Sequence, residues 1–125
     1  MPSLGKRSKR NRDQCAVELQ GVLDEAINHF DFSVICGFRG REEQERAFAE
    51  GNSNARWGQS KHNVSPSRAF DVIPYPLGFA ADDEAFYEMA THILGAAAKR
   101  GVRLRWGGHF RSLKDLAHFE LIGNE

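Results

Sequence analysis

Seven short runs of definite periodicity follow one another as helix, strand, helix, strand, helix, strand, strand, and this order constrains the fold more than any other feature of the chain. Ala16, Leu19, Leu23, Ala26, Ile27 and Phe30 recur at helical spacing behind Asp13, a plausible N-cap. Phe32-Ser33-Val34-Ile35-Cys36 is rich in β-formers and is stopped by Gly37. Residues 41–50 read as a helix closed by Gly51 at the C′ position. Ala69-Phe70-Asp71-Val72-Ile73 reads as a strand before Pro74. Asp82 or Asp83 caps a long helix that runs to Arg100, with Phe86, Ala90, Ile93, Leu94 and Ala97 as its apolar stripe and Gly101 as its stop. Residues 102–106 and 118–121 alternate at period two, so both are half-buried strands. The order predicts an α+β fold: a small, mostly antiparallel sheet with helices packed on one side.

At 125 residues one domain is expected, assigned to 13–125, and no internal repeat is visible. The formal net charge is zero, so bulk electrostatics nominate no partner class. Lys6, Arg7, Lys9, Arg10 and Arg12 nevertheless precede the first acid, Asp13. Residues 1–12 therefore read as a basic, flexible N-terminal arm, either simply solvated or suited to an anionic surface. Without an aromatic platform, the arm is poor ground for specific nucleic-acid binding. Cys15, expected in a helix, and Cys36, expected in a strand, make no C-x-x-C pair and read as free, buried thiols. No apolar segment follows the basic start, so no signal peptide is expected, and no run reaches the roughly 20 residues that cross a bilayer.

Two stretches carry chemistry. Ser60-Lys61-His62 through Ala69-Phe70-Asp71 offers a His on a loop and an Asp on a strand. Trp106-Gly107-Gly108-His109 through Asp115-Leu116-Ala117-His118 offers a second His with a carboxylate three residues before it. Two imidazoles and one carboxylate suit a catalytic zinc ion with an open fourth position. Amide hydrolysis on such a site also needs a carboxylate to move protons and donors to steady the oxyanion. Local pattern alone leaves each candidate open. The His62–Asp71 spacing occurs by chance, and Asp115 is equally a turn-stabilising Asp. Arg39, on the glycine-flanked turn Gly37-Phe38-Arg39-Gly40, is either a solvated loop residue or a guanidinium reaching into a cleft. If His62 and Asp71 share one ion, the loop between them must fold back.

Together these segments resemble the zinc D,D- and L,D-peptidases that cut peptidoglycan stem peptides, and most of all the phage L-alanyl-D-glutamate peptidase endolysins. The likeness rests on Ser60-Lys61-His62, Ala69-Phe70-Asp71, Trp106-Gly107-Gly108 and Asp115-Leu116-Ala117-His118, in that order, with Gly37-Phe38-Arg39-Gly40, Gln44 and Gly51 upstream. It covers roughly residues 15–122. It implies that His62, Asp71 and His118 hold Zn2+, that Asp115 is the catalytic carboxylate, and that Arg39 binds substrate or stabilises the transition state. Ser60, a hydrogen-bonding residue at the edge of the site, is placed with Gln44 and His109 as a substrate contact. His109, where a polar residue is usual, is best read as a rim residue. The chain departs from the commonest pattern in a His-to-Asp spacing two residues longer, with Ser67 where a glycine is usual, and in Phe110 where tryptophan is common.

The resemblance further implies an endolysin's life: a monomer made in the host cytoplasm, reaching the cell wall through a separate pore-forming protein. Two rivals remain at this level. One is a D-alanyl-D-alanine carboxypeptidase or dipeptidase on the same zinc site. The other is a non-catalytic module that holds wall peptides, which would be expected to lack a ligand or the catalytic acid.

Overall fold

The computed structural model describes residues 2–112 and 114–123. Four helices, α1 (Lys6–Asp13), α2 (Val17–Ala26), α3 (Arg41–Ala49) and α4 (Asp83–Lys99), accompany four strands, β1 (Phe32–Cys36), β2 (Ala69–Pro74), β3 (Leu104–Trp106) and β4 (His118–Leu121). The strands form one sheet in the order β1-β2-β4-β3, and every neighbouring pair is antiparallel. This is the α+β architecture that the periodicities predict.

Strand alternation divides the sheet into two faces with different jobs. Phe70 and Val72 of β2 and Phe119 and Leu121 of β4 are buried on the face covered by α2 and α4. Leu19 and Leu23 of α2 meet Met89, Ala90 and Ile93 of α4 there, and the Phe70 and Phe119 rings stack at 5.4 Å. At about 25 cal/mol per Å² of apolar surface removed from water, this layer is the main stabilising element. The intervening residues, Asp71, His118 and Glu120, project from the opposite face. The long helix begins and ends as its sequence indicates: the Asp82 carboxylate accepts from the Ala85 amide at 2.9 Å, and Gly101 takes the left-handed conformation.

The N-terminus departs from expectation. Within the stretch expected as an arm, Lys6–Asp13 is a helix and Ser8 is buried, and the next helix starts at Val17, not Asp13. The helix docks on β1, an edge strand of the sheet. One turn apart on α1, the Ser8 hydroxyl accepts from the Val34 amide at 3.0 Å and the Asn11 amide donates to the Val34 carbonyl at 2.7 Å. The outward backbone groups of Val34 on this edge strand are thereby satisfied by side chains rather than left open for pairing. Close approach requires Gly37, where a Cβ would stand 2.3 Å from the Asn11 carbonyl oxygen. The docking is polar, so hydrophobic periodicity carries no trace of it. Cys15 accordingly lies between α1 and α2 rather than in a helix, bridged to Ser67. Both thiols are free, and burial pushes that of Cys15 up to about 12. The helical turn expected within 110–116 spans residue 113 and lies partly outside the described residues.

Candidate metal centre and active site

Register places the centre of the site. Asp71 on β2 and His118 on β4 are direct antiparallel partners, so their side chains leave the same face as neighbours. His62 reaches them from a short 3₁₀ turn (Lys61–Asn63) whose amide at His62 is capped by the Ser60 hydroxyl at 3.1 Å. The longer loop does fold back. The Ser67 amide donates to Gln14 O and the Ala16 amide donates to Ser67 O, both at 2.8 Å, which pins residues 63–68 against the α1–α2 link.

Three donor atoms converge. His62 Nε2 lies 3.1 Å from Asp71 Oδ1 and 3.3 Å from His118 Nδ1, and His118 Nδ1 lies 3.1 Å from Asp71 Oδ1. Tetrahedral ligands at ~2.0–2.1 Å from a zinc ion stand about 3.3–3.4 Å from one another, so this triangle has nearly the dimensions of a zinc coordination face. The tautomers agree as well. His62 Nδ1–H donates to the Gly37 carbonyl at 2.7 Å, and His118 Nε2–H donates to Glu120 Oε1 at 2.8 Å, so a metal displacing the inner protons would meet the inward nitrogens as its donors.

The electrostatics favour a cation at that point. Burial works against charge on His62, yet Asp71 outweighs it and holds the ring at about 10. For His118, burial is likewise outweighed by hydrogen bonds to Asp71 and Glu120, and the ring stands at about 9. The carboxyl of Asp71 is opposed by burial but held well below the usual range by the two imidazoles. Its second oxygen is held by Arg39 Nη2 at 3.3 Å.

Asp115 brings an oxygen within 4.8 Å of donor atoms of both Asp71 and His118. Asp115 is exposed as a residue, yet its carboxyl is pushed above the usual range, first by desolvation against the cleft wall and then by the Asp71 charge. The Asp115 main chain packs directly on Gly107, where a Cβ would stand 2.1 Å from its carbonyl oxygen, which explains the small residue in the Trp106-Gly107 turn. The whole constellation lines an open cleft of about 700 Å³, walled by 51–55 on one side and by Phe79, Phe110 and Lys114 among others.

Arg39, Ser60, His62, Asp71, Asp115 and His118 all line this cleft, as expected from the sequence. Two predicted substrate contacts do not. Gln44 is fully buried, with Oε1 accepting from Arg39 Nη1 at 3.0 Å and Asn63 Nδ2 at 3.1 Å, and Nε2 donating to Ala55 O at 2.7 Å and Ser53 Oγ at 3.1 Å. It has no polar atom to offer a substrate and instead ties Arg39 to the cleft wall. His109 is exposed and packs its ring edge-on against Trp106 at 5.0 Å, outside the cleft lining. Glu120 and Lys61 were not anticipated. The signal for Glu120 was present in its two-residue spacing from His118, which sets both on one face of a strand.

The sequence matches the family described as phage L-alanyl-D-glutamate peptidase over residues 2–121. The chain belongs to that family. Its fold is similar to the crystal structure of the Serratia marcescens L-Ala D-Glu endopeptidase ChiX, with a TM-score of 0.81 and 27% identity over 96% of this chain and 90% of that one. It is also similar to the LdcB LD-carboxypeptidase, with a TM-score of 0.54 and 25% identity over 92% of this chain and 68% of that one. Leucine aminopeptidase 2 of Neurospora crassa is 35% identical over 51 residues, which is 41% of this chain. The chain spans only 8% of the length of that curated relative. The match begins at residue 2, so it takes in α1.

Proposed function

We propose that this phage peptidase is a zinc enzyme that hydrolyses the L-alanyl-D-glutamate bond of peptidoglycan stem peptides. The observation that carries the reading is the donor triangle of His62, Asp71 and His118 with the Asp115 carboxylate beside it. Zinc held by these donors would lower the pKa of a bound water toward about 7 and polarise the scissile carbonyl. Asp115 takes the proton of the attacking water and delivers it to the leaving nitrogen of D-glutamate. It is suited to this because Asp71 is held by Arg39 and Glu120 by Lys61, whereas no cation pairs with Asp115 among the described contacts. Arg39 fixes Asp71 from behind and brings positive charge to the wall where the oxyanion forms. Ser60 orders the turn that carries His62.

A glutamyl residue has two carboxyl groups, and chain continuation uses one, so the substrate carries a free carboxylate beside the scissile bond. Lys114 lines the cleft next to Asp115 without an ion pair among the described residues, and its charge complements that group. A carboxypeptidase reading has support from the LdcB likeness. A non-catalytic wall-binding role is disfavoured by the filled donor set and by the Asp115 carboxylate, which accepts from the Ala117 amide but pairs with no cation among the described contacts.

No described helix is long and apolar enough to cross a membrane. We take the enzyme to act as a monomer on the wall after release from the host cytoplasm through a separate pore. Digestion of purified peptidoglycan, with mass spectrometry of the new termini, tests the reading. New N-terminal D-glutamate is expected. Free D-alanine with no new D-glutamate terminus overturns it in favour of the carboxypeptidase.

A further inference from the structure

We propose that Glu120, aimed by Lys61, is a positioning residue that dictates which nitrogen His118 presents to the metal. The inference rests on the zinc reading above. The two imidazoles of the site face inward through different nitrogens, His62 through Nε2 and His118 through Nδ1. What stands behind each ring differs too. His62 Nδ1 is held by the main-chain carbonyl of Gly37 at 2.7 Å, with Cys36 Sγ at 3.7 Å, and His118 Nε2 by the Glu120 carboxylate at 2.8 Å.

The arrangement follows from the strand. His118 and Glu120 are two residues apart on β4, so both leave the site face, and the carboxylate meets the outer nitrogen of the ring. Glu120 is itself held. Lys61 Nζ lies 3.6 Å from its second oxygen, and the same ammonium donates to the Leu121 carbonyl, which ties the lysine to β4. Lys61 directly precedes His62, so one short turn supplies both a zinc donor and the cation that steadies the carboxylate behind the other donor. A carboxylate on the outer nitrogen fixes the tautomer, stops the ring rotating to offer Nε2, and strengthens the inner nitrogen as a donor.

The test is zinc affinity by chelator competition, together with the visible spectrum of the cobalt-substituted protein. Glu120→Gln preserves shape and an acceptor oxygen but removes the charge. It is expected to weaken zinc binding ~10-fold, and Glu120→Ala up to ~100-fold with shifted cobalt bands, the range that outer-shell partners of metal ligands command. Lys61→Met is expected to weaken binding several-fold in the native background and to add nothing in Glu120→Gln, since it acts through that carboxylate. Circular dichroism and thermal unfolding in excess zinc check that each variant is folded, and Glu120→Gln keeps the test available if Glu120→Ala does not fold.

Zinc affinity within two-fold of native in Glu120→Ala, with an unchanged cobalt spectrum, overturns the proposal. Additive losses for Lys61→Met and Glu120→Gln overturn the part assigned to Lys61. His118→Ala separates the two levels. If it binds zinc as tightly as the native protein, the zinc reading falls and takes this inference with it. If it loses zinc while Glu120→Ala retains it, the inference alone falls.

Discussion

Arg39 holds Asp71 Oδ2 at 3.3 Å while Asp71 Oδ1 stands 3.1 Å from a nitrogen of each of two imidazoles. One carboxylate thus faces a cation on one side and two imidazole nitrogens on the other. The guanidinium is in turn held by Gln44 Oε1 at 3.0 Å. The centre is supported by a chain of contacts that runs from the buried side of α3 to the donor triangle.

Gln44→Ala should therefore act on stability as well as on turnover. It leaves Arg39, Asn63 and the Ala55 carbonyl without their buried partner, at about 1–3 kcal/mol for each group that cannot find another. A loss of at least about 2 kcal/mol in denaturant unfolding is expected. A stability change near zero would mean that the cleft wall closes over the gap without Gln44.

Asp115→Asn should separate chemistry from metal binding. The amide cannot accept the water's proton, so kcat is expected to drop by about 10²–10⁴. Zinc content should remain at the native level, because the three donors are elsewhere. Metal analysis of the purified variant beside its peptidoglycan turnover gives the answer, and loss of zinc would reassign Asp115 as a ligand.

Chelation should abolish lysis, and added zinc should restore it. An ion bound only to the folded state stabilises it by about 4 kcal/mol at a thousand-fold excess over Kd. Thermal unfolding with and without chelator is expected to show a rise in Tm on zinc addition that His62→Ala loses.

Lys114→Ala should raise KM for a stem peptide with a free D-glutamate carboxylate and leave KM nearly unchanged when that carboxylate is amidated. Equal effects on both substrates would remove Lys114 from carboxylate recognition.

The loop that walls the cleft should loosen in acid. Glu45 accepts from the Trp57 amide at 2.8 Å and from Arg56 at 2.7 Å, and these contacts, Arg56 first, hold its pKa down at about 2. Its folded value is below its ordinary one of 4.5, so its contribution is complete above about pH 4.5 and is lost as pH falls through about 2. The Trp57 amide shift in NMR is expected to titrate with a midpoint near 2, and Glu45→Gln should erase that transition. A midpoint near 4.5 would show that the pair does not persist in solution.

Much of this was legible in the chain itself. Strand alternation put Asp71, His118 and Glu120 opposite Phe70 and Phe119, and helical spacing with Asp82 and Gly101 delimited α4. The limits of that reading are just as specific. Gln44 was recognisable as a motif residue, but a glutamine that binds substrate and one that is fully buried look alike until burial is known. The first helix was missed because Ser8 and Asn11 dock through hydrogen bonds to Val34, and such docking leaves no apolar period.

The sequence by itself determined the kinds of donor, their faces on the strands, and the order of the elements, since these depend on residue type and on periods of 2 and 3.6. Only the tertiary structure decided that the 63–68 loop folds back, that the donors close to within 3.3 Å, and that each imidazole is held by its own acceptor. Those distances join residues as far as 56 positions apart in the chain, and they follow from the register of β2 on β4 and from the packing of a loop on the α1–α2 link, neither of which any local pattern encodes.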